Sequence, residues 1–362
     1  MALLEVGDLR VSFRTPDGVV QAVRGSSFQV DAGQTLGIVG ESGSGKSVST
    51  QTIMGITRGA RVSGSALFEG RDLLTMSNQD LQKVRGAKVG MIFQDPLSSL
   101  HPYYRVGWQI TEMIRQHDRS ASKARARARA VELLRLVGIP QADRRVDDYP
   151  HQFSGGMRQR AMIAMAMALN PALLIADEPT TALDVTVQAQ VLQVIKTLQE
   201  EFGTAVIMIT HDLGVIADVA DEVIVMYAGA VMERADRRTI FSANHHPYTE
   251  GLLQSLPAYG GDRERLQPIQ GQPPSLINLP PGCPFHPRCP YVMDRCRIDV
   301  PALAPVGGEA AHLSACWLPH DMAARNARRR EVAGQALPSP AELSAAPAEA
   351  LAAPAEAAGS DS

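Results

Sequence analysis

The sequence predicts an α/β fold, and two observations support this prediction. From Leu4 to about Met232, apolar runs alternate with segments whose composition suits helices, which is the pattern of α/β architectures. A glycine-rich loop connects one of these apolar runs to the helical segment after it, as in phosphate-binding folds. The predicted strands are Thr35–Val39, Val89–Phe93, Leu173–Ala176, Ala205–Ile209 and Val223–Tyr227.

Three regions depart from this alternation. The stretch from Asp95 to Gln152 is charged and rich in Ala and Arg, which favours helix and predicts a helical insertion into the core. Residues 257–305 are dense in proline and contain three of the four cysteines, so we expect a small domain without long helices that folds around a bound metal centre. From about Val332 the chain is mostly Ala, Pro, Glu and Ser, and we expect it to be disordered.

Charge and hydropathy exclude two classes of protein. The 362 residues carry 38 acidic and 35 basic side chains, a formal charge of −3, which does not support coating of nucleic acid by bulk charge. The longest apolar run, Ala161–Leu169, is followed by Asn170 and Pro171 and falls short of the ~20 residues of a membrane-spanning helix. The first residues lack the basic region of a signal peptide. We therefore expect a cytosolic chain.

A phosphate-binding loop follows the first predicted strand. The pattern G-x-x-x-x-G-K-S is complete in Gly40-Glu41-Ser42-Gly43-Ser44-Gly45-Lys46-Ser47. Glycines let backbone N–H groups converge on phosphates, and the following helix directs its positive end at them. Lys46 is expected to reach the β- and γ-phosphates, and Ser47 to offer its hydroxyl to Mg²⁺.

A second acidic motif completes the predicted ATP site. The strand Leu173–Ala176 ends in Asp177 and Glu178, which places both carboxylates at the edge of the sheet beside the loop. Asp177 is expected to support Mg²⁺ through water, and Glu178 to polarise the attacking water as general base. An acidic pair after a strand is often only a helix cap, and the upstream loop favours the functional interpretation.

A third motif lies between these two in the sequence, and it is Phe153-Ser154-Gly155-Gly156-Met157-Arg158-Gln159-Arg160. Its S-G-G-x-x-Q-R core resembles the signature of ATP-binding-cassette (ABC) ATPases, with Phe153 and Met157 where many members have Leu and Gln. The resemblance implies a P-loop NTPase core with a helical signature subdomain at about 95–165. It also implies a sandwich dimer, in which Ser154, Gly155 and Gly156 contact the γ-phosphate of an ATP held by the opposite subunit.

Other positions match the same family one by one. Gln94 resembles the Q-loop glutamine that senses Mg²⁺ and the attacking water, and His211 resembles the switch histidine that contacts the γ-phosphate. Ala182-Leu183-Asp184 resembles the D-loop between the two ATP sites, and Phe13 is a candidate adenine-stacking aromatic. The family's catalytic positions are all present in this sequence, as Lys46, Asp177, Glu178 and His211. The resemblance therefore implies an active ATPase.

Three stretches narrow the resemblance to the oligopeptide and dipeptide importer branch. They are FQDPLSSLHP at 93–102, HPYTEGLL at 246–253 and GCPFHPRC at 282–289. The branch implies an ATP-hydrolysing subunit that powers peptide uptake from the cytoplasmic face of the cell (inner) membrane. Its implied partners are a second ATPase subunit, expected to be a paralogue, two integral-membrane permease subunits and an extracytoplasmic solute-binding protein. The implied domains are a nucleotide-binding domain at 1–240, a C-terminal domain at 241–322 and the tail at 323–362.

The four cysteines follow the spacing C-x5-C-x6-C-x19-C, through Cys283, Cys289, Cys296 and Cys316. Four thiolates can bind Zn²⁺ or an iron–sulfur cluster. Structural zinc sites usually pair cysteines two to four residues apart, and the wider spacing here suits a larger cluster. The resemblance implies a 4Fe–4S centre, with Zn²⁺ as the alternative and free thiols as a third.

Two other functions stay open at this point. Similar subunits serve importers of nickel, modified peptides and other small solutes, so the branch does not identify the solute. A soluble ABC ATPase of DNA repair or translation is a further alternative, but the chain has one cassette, no heptad run and no basic surplus.

Overall fold

The computed structural model describes residues 2–95, 99–181, 183–256 and 269–319. Several sequence predictions therefore lie wholly or partly outside the described residues. They concern residues 96–98 of the Q-loop stretch, Ala182 of the D-loop stretch, residues 257–268 of the proline-rich region, the end of the C-terminal domain from residue 320, and the tail at 323–362.

An eight-stranded sheet forms the centre of the fold, in the order β11-β12-β10-β9-β3-β8-β7-β6. Strands β9, β3, β8, β7 and β6 run parallel, whereas β10, β12 and β11 are antiparallel. The parallel strands coincide with the five predicted ones. The bounds are β3 Thr35–Val39, β6 Val89–Ile92, β7 Leu173–Asp177, β8 Ala205–Thr210, β9 Glu222–Tyr227, β10 Ala230–Asp236, β11 Ala304–Val306 and β12 Glu309–Ser314.

A second sheet has four antiparallel strands in the order β2-β1-β4-β5. Its strands are β1 Ala2–Thr15, β2 Gly18–Asp31, β4 Arg61–Phe68 and β5 Arg71–Asp72. The strand predictions did not include this sheet. Its strands alternate buried and exposed residues, since one face packs on the core and the other meets solvent.

Most helices, including those of the predicted insertion, pack in the core on the face of the central sheet opposite the antiparallel sheet. The helices Lys46–Ile53 and Asn78–Val84 instead pack in the core shared with the antiparallel sheet. Those within the insertion and the signature region are Val106–His117, Lys123–Leu136, Ala142–Arg145 and Gly155–Ala166. The remaining described helices are Lys46–Ile53, Asn78–Val84, Val185–Phe202, Leu213–Val219, Arg237–Ala243 and Pro247–Gln254. Among the described residues, none of these helices is long and apolar enough to cross a bilayer.

The central strands are buried on both faces, which explains their continuous apolar sequences. In β8, Ile207 packs into a core shared with the antiparallel sheet. Its neighbour Met208 packs into a core shared with the helices. The second core continues into the C-terminal region, where it includes Phe285 and Cys283. Within its described residues 269–319, that region has two short 3₁₀ helices, His286–Arg288 and Asp294–Arg297, before β11 and β12.

Candidate active site

The glycine-rich loop joins β3 to the helix Lys46–Ile53, as predicted. Gly40, Gly43 and Gly45 all have positive φ angles, of 152°, 78° and 98°. A Cβ at Gly40 would collide with the carbonyl oxygen of Met226, and one at Gly45 with that of Ala22. Only glycine fits these two positions, and the loop backbone is thereby held against β2 and β9.

Lys46 and Ser47 begin the helix after the loop. The Lys46 side chain is 4% exposed, and its Nζ donates to the carbonyl oxygens of Gly40 (2.7 Å) and Glu41 (3.0 Å). Burial lowers the pKa of Lys46, although nearby carboxylates oppose this shift. Ser47 Oγ donates to Asp177 Oδ1 over 2.6 Å, and burial raises the pKa of Asp177. The structure thus brings together the hydroxyl and the carboxylate expected at Mg²⁺.

Glu178 follows β7 directly and has a left-handed backbone, with φ at +48°. Three side chains meet its carboxylate. Gln94 Nε2 donates to Oε2 over 2.9 Å, Thr181 Oγ1 donates to the same oxygen over 2.8 Å, and His211 Nδ1 lies 3.5 Å from Oε1. A carboxylate oriented in this way can accept a proton from water. The positive φ angle shows backbone strain where a non-glycine residue rarely occurs.

The signature motif begins the helix Gly155–Ala166. Ser154 caps this helix, since its Oγ accepts the N–H of Met157 over 3.3 Å. A Cβ at Gly155 would meet no atom within 4 Å, whereas one at Gly156 would lie 2.7 Å from Val187 Cγ1. Gly155 therefore faces open space, and Gly156 allows close packing against the helix Val185–Phe202.

In the part of the chain that the structure describes, two other predicted residues, Asp184 and Phe13, have no hydrogen bond or ion pair to the phosphate-binding loop. Asp184 caps the helix Val185–Phe202 by accepting the N–H of Val187 over 3.0 Å. Phe13 lies in β1 opposite Val20, and its half-buried ring packs on the core between the sheets. Among the described residues, no hydrogen bond or ion pair joins Phe13, Asp184 or the signature residues to the phosphate-binding loop.

All four cysteine thiols line one small, apolar cavity in the C-terminal region. Its wall includes Phe285, Trp317 and Leu318. Burial raises the pKa of the Cys283 thiol to about 11, and burial together with the three other cysteines raises that of Cys289 further. The cysteines are free thiols. Across the described ranges, no three His, Cys, Asp or Glu side chains are grouped so that they could hold a metal ion.

Sequence reasoning missed two side chains that contact the phosphate-binding loop from the C-terminal region. Arg288 forms an ion pair with Glu41, and Tyr248 Oη accepts the N–H of Glu41 over 2.8 Å. Both residues lie within stretches used for the family resemblance, HPYTEGLL and GCPFHPRC. No local pattern could pair them with a residue more than 200 positions away.

Two protein-family models match the chain. A model described as "ABC transporter" matches residues 23–181. A model described as "Oligopeptide/dipeptide transporter, C-terminal region" matches residues 232–296. The first match includes the phosphate-binding loop, Glu178 and the signature motif, and the second includes Tyr248, Arg288 and three cysteines.

Curated relatives are similar over nearly the whole described chain. The oligopeptide transport ATP-binding protein OppD of Bacillus subtilis is 53% identical, over 88% of this chain and 89% of the relative. The dipeptide transport ATP-binding protein DppD of Escherichia coli is 49% identical, over 90% and 99%. A solved dimeric ATP-binding cassette, in a post-hydrolysis state with ADP and phosphate, is 27% identical with a TM-score of 0.59, covering 65% of this chain and 99% of that one.

Proposed function

This chain belongs to the ABC transporter ATPases that carry the oligopeptide/dipeptide transporter C-terminal region, and we propose that it powers the uptake of di- or oligopeptides. The solute class rests on one observation, namely the near-full-length identity to relatives named for oligopeptide and dipeptide transport. We place the chain at the cytoplasmic face of the cell membrane, held there by permease partners. Its proposed domains are 1–240, 241–322 and the tail at 323–362.

In the proposed ATP site, Lys46 binds the β- and γ-phosphates while the loop amides surround them. Ser47, Asp177 and Gln94 would hold Mg²⁺, which neutralises charge on the phosphates when bound. Glu178 takes the proton of the attacking water, and His211 binds the γ-phosphate. The contacts of Gln94 and His211 with the Glu178 carboxylate, at 2.9 Å and 3.5 Å, support these roles.

A second ATPase subunit would complete each ATP site. The open space at Gly155 suits an anion approaching from outside the chain, since Gly155 begins a helix and the first N–H groups of a helix have no partner within it. The solved cassette with ADP and phosphate is dimeric, which also supports this arrangement. We propose that the partner subunit is a paralogue.

A group of exposed aromatic side chains in the helical insertion fits a permease contact. Tyr103 is 84% exposed, and the rings of Tyr104 and Trp108 stack with centroids 4.3 Å apart. Such exposed apolar groups mark interaction surfaces. We therefore propose that the permeases dock here. Trp108→Ser should reduce co-purification with the permeases, whereas Ile298→Ser, at a more exposed apolar residue of the C-terminal region, should not.

The transport cycle follows from differential binding. ATP favours the closed pair of ATPase subunits and ADP the open pair, so hydrolysis converts one state into the other. Closure would drive the permeases towards the state that receives solute from an extracytoplasmic binding protein. Reopening after hydrolysis would reset the transporter.

We further propose that the four cysteines hold a 4Fe–4S cluster rather than one Zn²⁺ ion. All four thiols line the same cavity, which suits a cluster ligated by four cysteines. The cysteine spacing favours a cluster over zinc, because structural zinc sites usually pair cysteines two to four residues apart and none of these four is so closely paired. The cluster would cross-link the stretch from Cys283 to Cys296 with Cys316, which follows β12.

Metal analysis of the full chain in its native complex tests this proposal. We expect about four iron and four acid-labile sulfide per chain, as cluster stoichiometry requires. Cys296→Ser should lose most of the iron. His286→Gln should keep it, since His286 lines the cavity but is not a proposed ligand. One zinc per chain without iron would contradict the cluster.

Purification from native membranes in mild detergent tests the transporter assignment. We expect two multi-span permeases and a second cassette ATPase to co-purify with this chain. Recovery with nucleic-acid or ribosomal partners instead would contradict the transport function. A co-purifying binding protein that captures nickel or another small solute, and no peptide, would contradict only the solute class.

A further inference from the structure

A partly buried ion pair connects the phosphate-binding loop to the cysteine-rich region. Arg288 donates from Nη1 and Nη2 to the two carboxylate oxygens of Glu41, over 2.6 Å and 2.9 Å. The Arg288 side chain is only 4% exposed. Its Nε also donates to the carbonyl oxygen of Gln270 over 2.9 Å. The guanidinium is therefore fixed in a bidentate contact with the Glu41 carboxylate, which a lysine cannot reproduce.

Glu41 is the second residue of the phosphate-binding loop and is held at three points. Arg288 holds its carboxylate, Tyr248 Oη accepts its backbone N–H over 2.8 Å, and Lys46 Nζ donates to its carbonyl oxygen over 3.0 Å. Two of these three contacts come from the C-terminal region. The loop conformation that presents amides to phosphate thus depends on residues outside the nucleotide-binding core.

The same region lines the cysteine cavity. Arg288 immediately precedes Cys289, and Phe285 contributes to the cavity wall. Phe285 also contacts the rings of Tyr227 and Tyr248, with centroids 5.3 Å away in both cases. A continuous set of packed side chains therefore runs from the cysteines to Glu41.

We propose that Arg288 is a positioning residue for ATP binding, through which the cysteine site sets the conformation of the phosphate-binding loop. The contact of Arg288 with Glu41 stands on its own geometry. The link to the cysteine site rests on the proposed 4Fe–4S cluster. Arg288 touches no nucleotide in this scheme and acts only through Glu41.

Steady-state ATP hydrolysis by the assembled transporter tests the first part. We expect Arg288→Gln to raise the KM for ATP about tenfold, with a much smaller change in kcat, because the Glu41 carboxylate loses the two hydrogen bonds that hold it in place. Arg288→Lys should give an intermediate KM, since it keeps the positive charge but cannot donate two parallel hydrogen bonds to the Glu41 carboxylate. Arg297→Gln is the matched control, because Arg297 is exposed and adjoins Cys296 as Arg288 adjoins Cys289.

Glu41→Gln provides an independent variant if Arg288→Gln does not fold. It should raise the KM similarly, and the double variant should be no worse than the poorer single one, because the two side chains form one unit. A KM within about twofold of wild type, in Glu41→Gln or in a folded Arg288→Gln chain, would overturn the positioning role, since coupled contact pairs exceed that effect.

Equilibrium binding of a fluorescent ATP analogue tests the second part. Removal of iron from the wild-type complex should weaken binding, whereas Arg288→Gln, already weakened, should show no further loss. Unchanged wild-type affinity after iron removal would overturn the link and leave the Arg288 role intact. A preparation that never contains iron would contradict the cluster proposal, and the kinetic comparison of Arg288 variants would still decide the positioning role.

Discussion

Gln94 donates a hydrogen bond from its amide to the Glu178 carboxylate over 2.9 Å. Gln94 follows β6, and Glu178 follows the neighbouring parallel strand β7. The contact therefore connects the start of the helical insertion to the proposed general base. If a docked partner displaced the insertion, this hydrogen bond to the Glu178 carboxylate would change.

Glu178→Gln should abolish hydrolysis while leaving ATP binding intact. The amide keeps the size of the side chain but cannot take a proton, so the turnover rate should fall at least about 10²-fold, as loss of a general base predicts. Turnover and binding of radiolabelled ATP by the assembled complex measure both effects. Glu200→Gln, at an exposed helix position, is the control, and wild-type turnover in Glu178→Gln would refute the assignment.

Lys46→Met should separate stability from binding. Burial of the Lys46 ammonium costs desolvation free energy, as its lowered pKa indicates, and this cost offsets the contacts that the ammonium makes. We therefore expect Lys46→Met to change the free energy of unfolding by no more than about 1 kcal/mol. ATP binding should be lost, since the charge facing the phosphates is gone. Denaturant unfolding and nucleotide binding check the two halves, with Lys196→Met as an exposed control. Intact ATP affinity in Lys46→Met would show that Lys46 does not face the phosphates.

Gly155→Ala and Gly156→Ala should differ, although the residues are neighbours. The added methyl at Gly155 meets no atom of this chain, so the melting temperature should not fall, but hydrolysis in the complex should decrease if the partner's ATP approaches there. The methyl at Gly156 would press on Val187 and should lower the melting temperature. Full activity of Gly155→Ala would remove the support for a nucleotide at this helix start.

Acid should destabilise the junction around Glu233, which lies fully buried in β10. Burial alone would raise the pKa of Glu233, but hydrogen bonds from His312 and from the backbone N–H of His245 hold it below its ordinary value. The ionised form therefore stabilises the fold above about pH 4.5, and this contribution disappears as the pH falls through the lower folded-state pKa.

The variant Glu233→Gln tests this pH dependence. At neutral pH it should lower the free energy of unfolding by about 1–3 kcal/mol, because buried partners lose a charged acceptor. The difference from wild type should shrink as the pH is lowered below about 4.5. Thermal unfolding at a series of pH values measures it, and a difference that does not vary with pH would contradict the account.

The parallel strands, the phosphate-binding loop and Glu178 were predictable from local patterns, whereas Gln94 and His211 were assigned through the family resemblance. Continuous apolar runs mark strands buried on both faces, and the glycine spacing marks the phosphate-binding loop. The antiparallel strands β1 and β2 carry many polar residues on their exposed face, so no apolar run marked them. The contact of Glu41 with Arg288 spans 247 positions and depends on how the C-terminal region folds back, which no spacing rule reveals.

ATP turnover by the purified complex, with and without a peptide-loaded binding protein, tests the central claim most directly. We expect peptide to stimulate hydrolysis in the wild-type complex and to have no effect in the complex that carries Glu178→Gln. Turnover that is insensitive to peptides of any length, or stimulated equally in both complexes, would contradict a peptide importer driven from the Glu178 site.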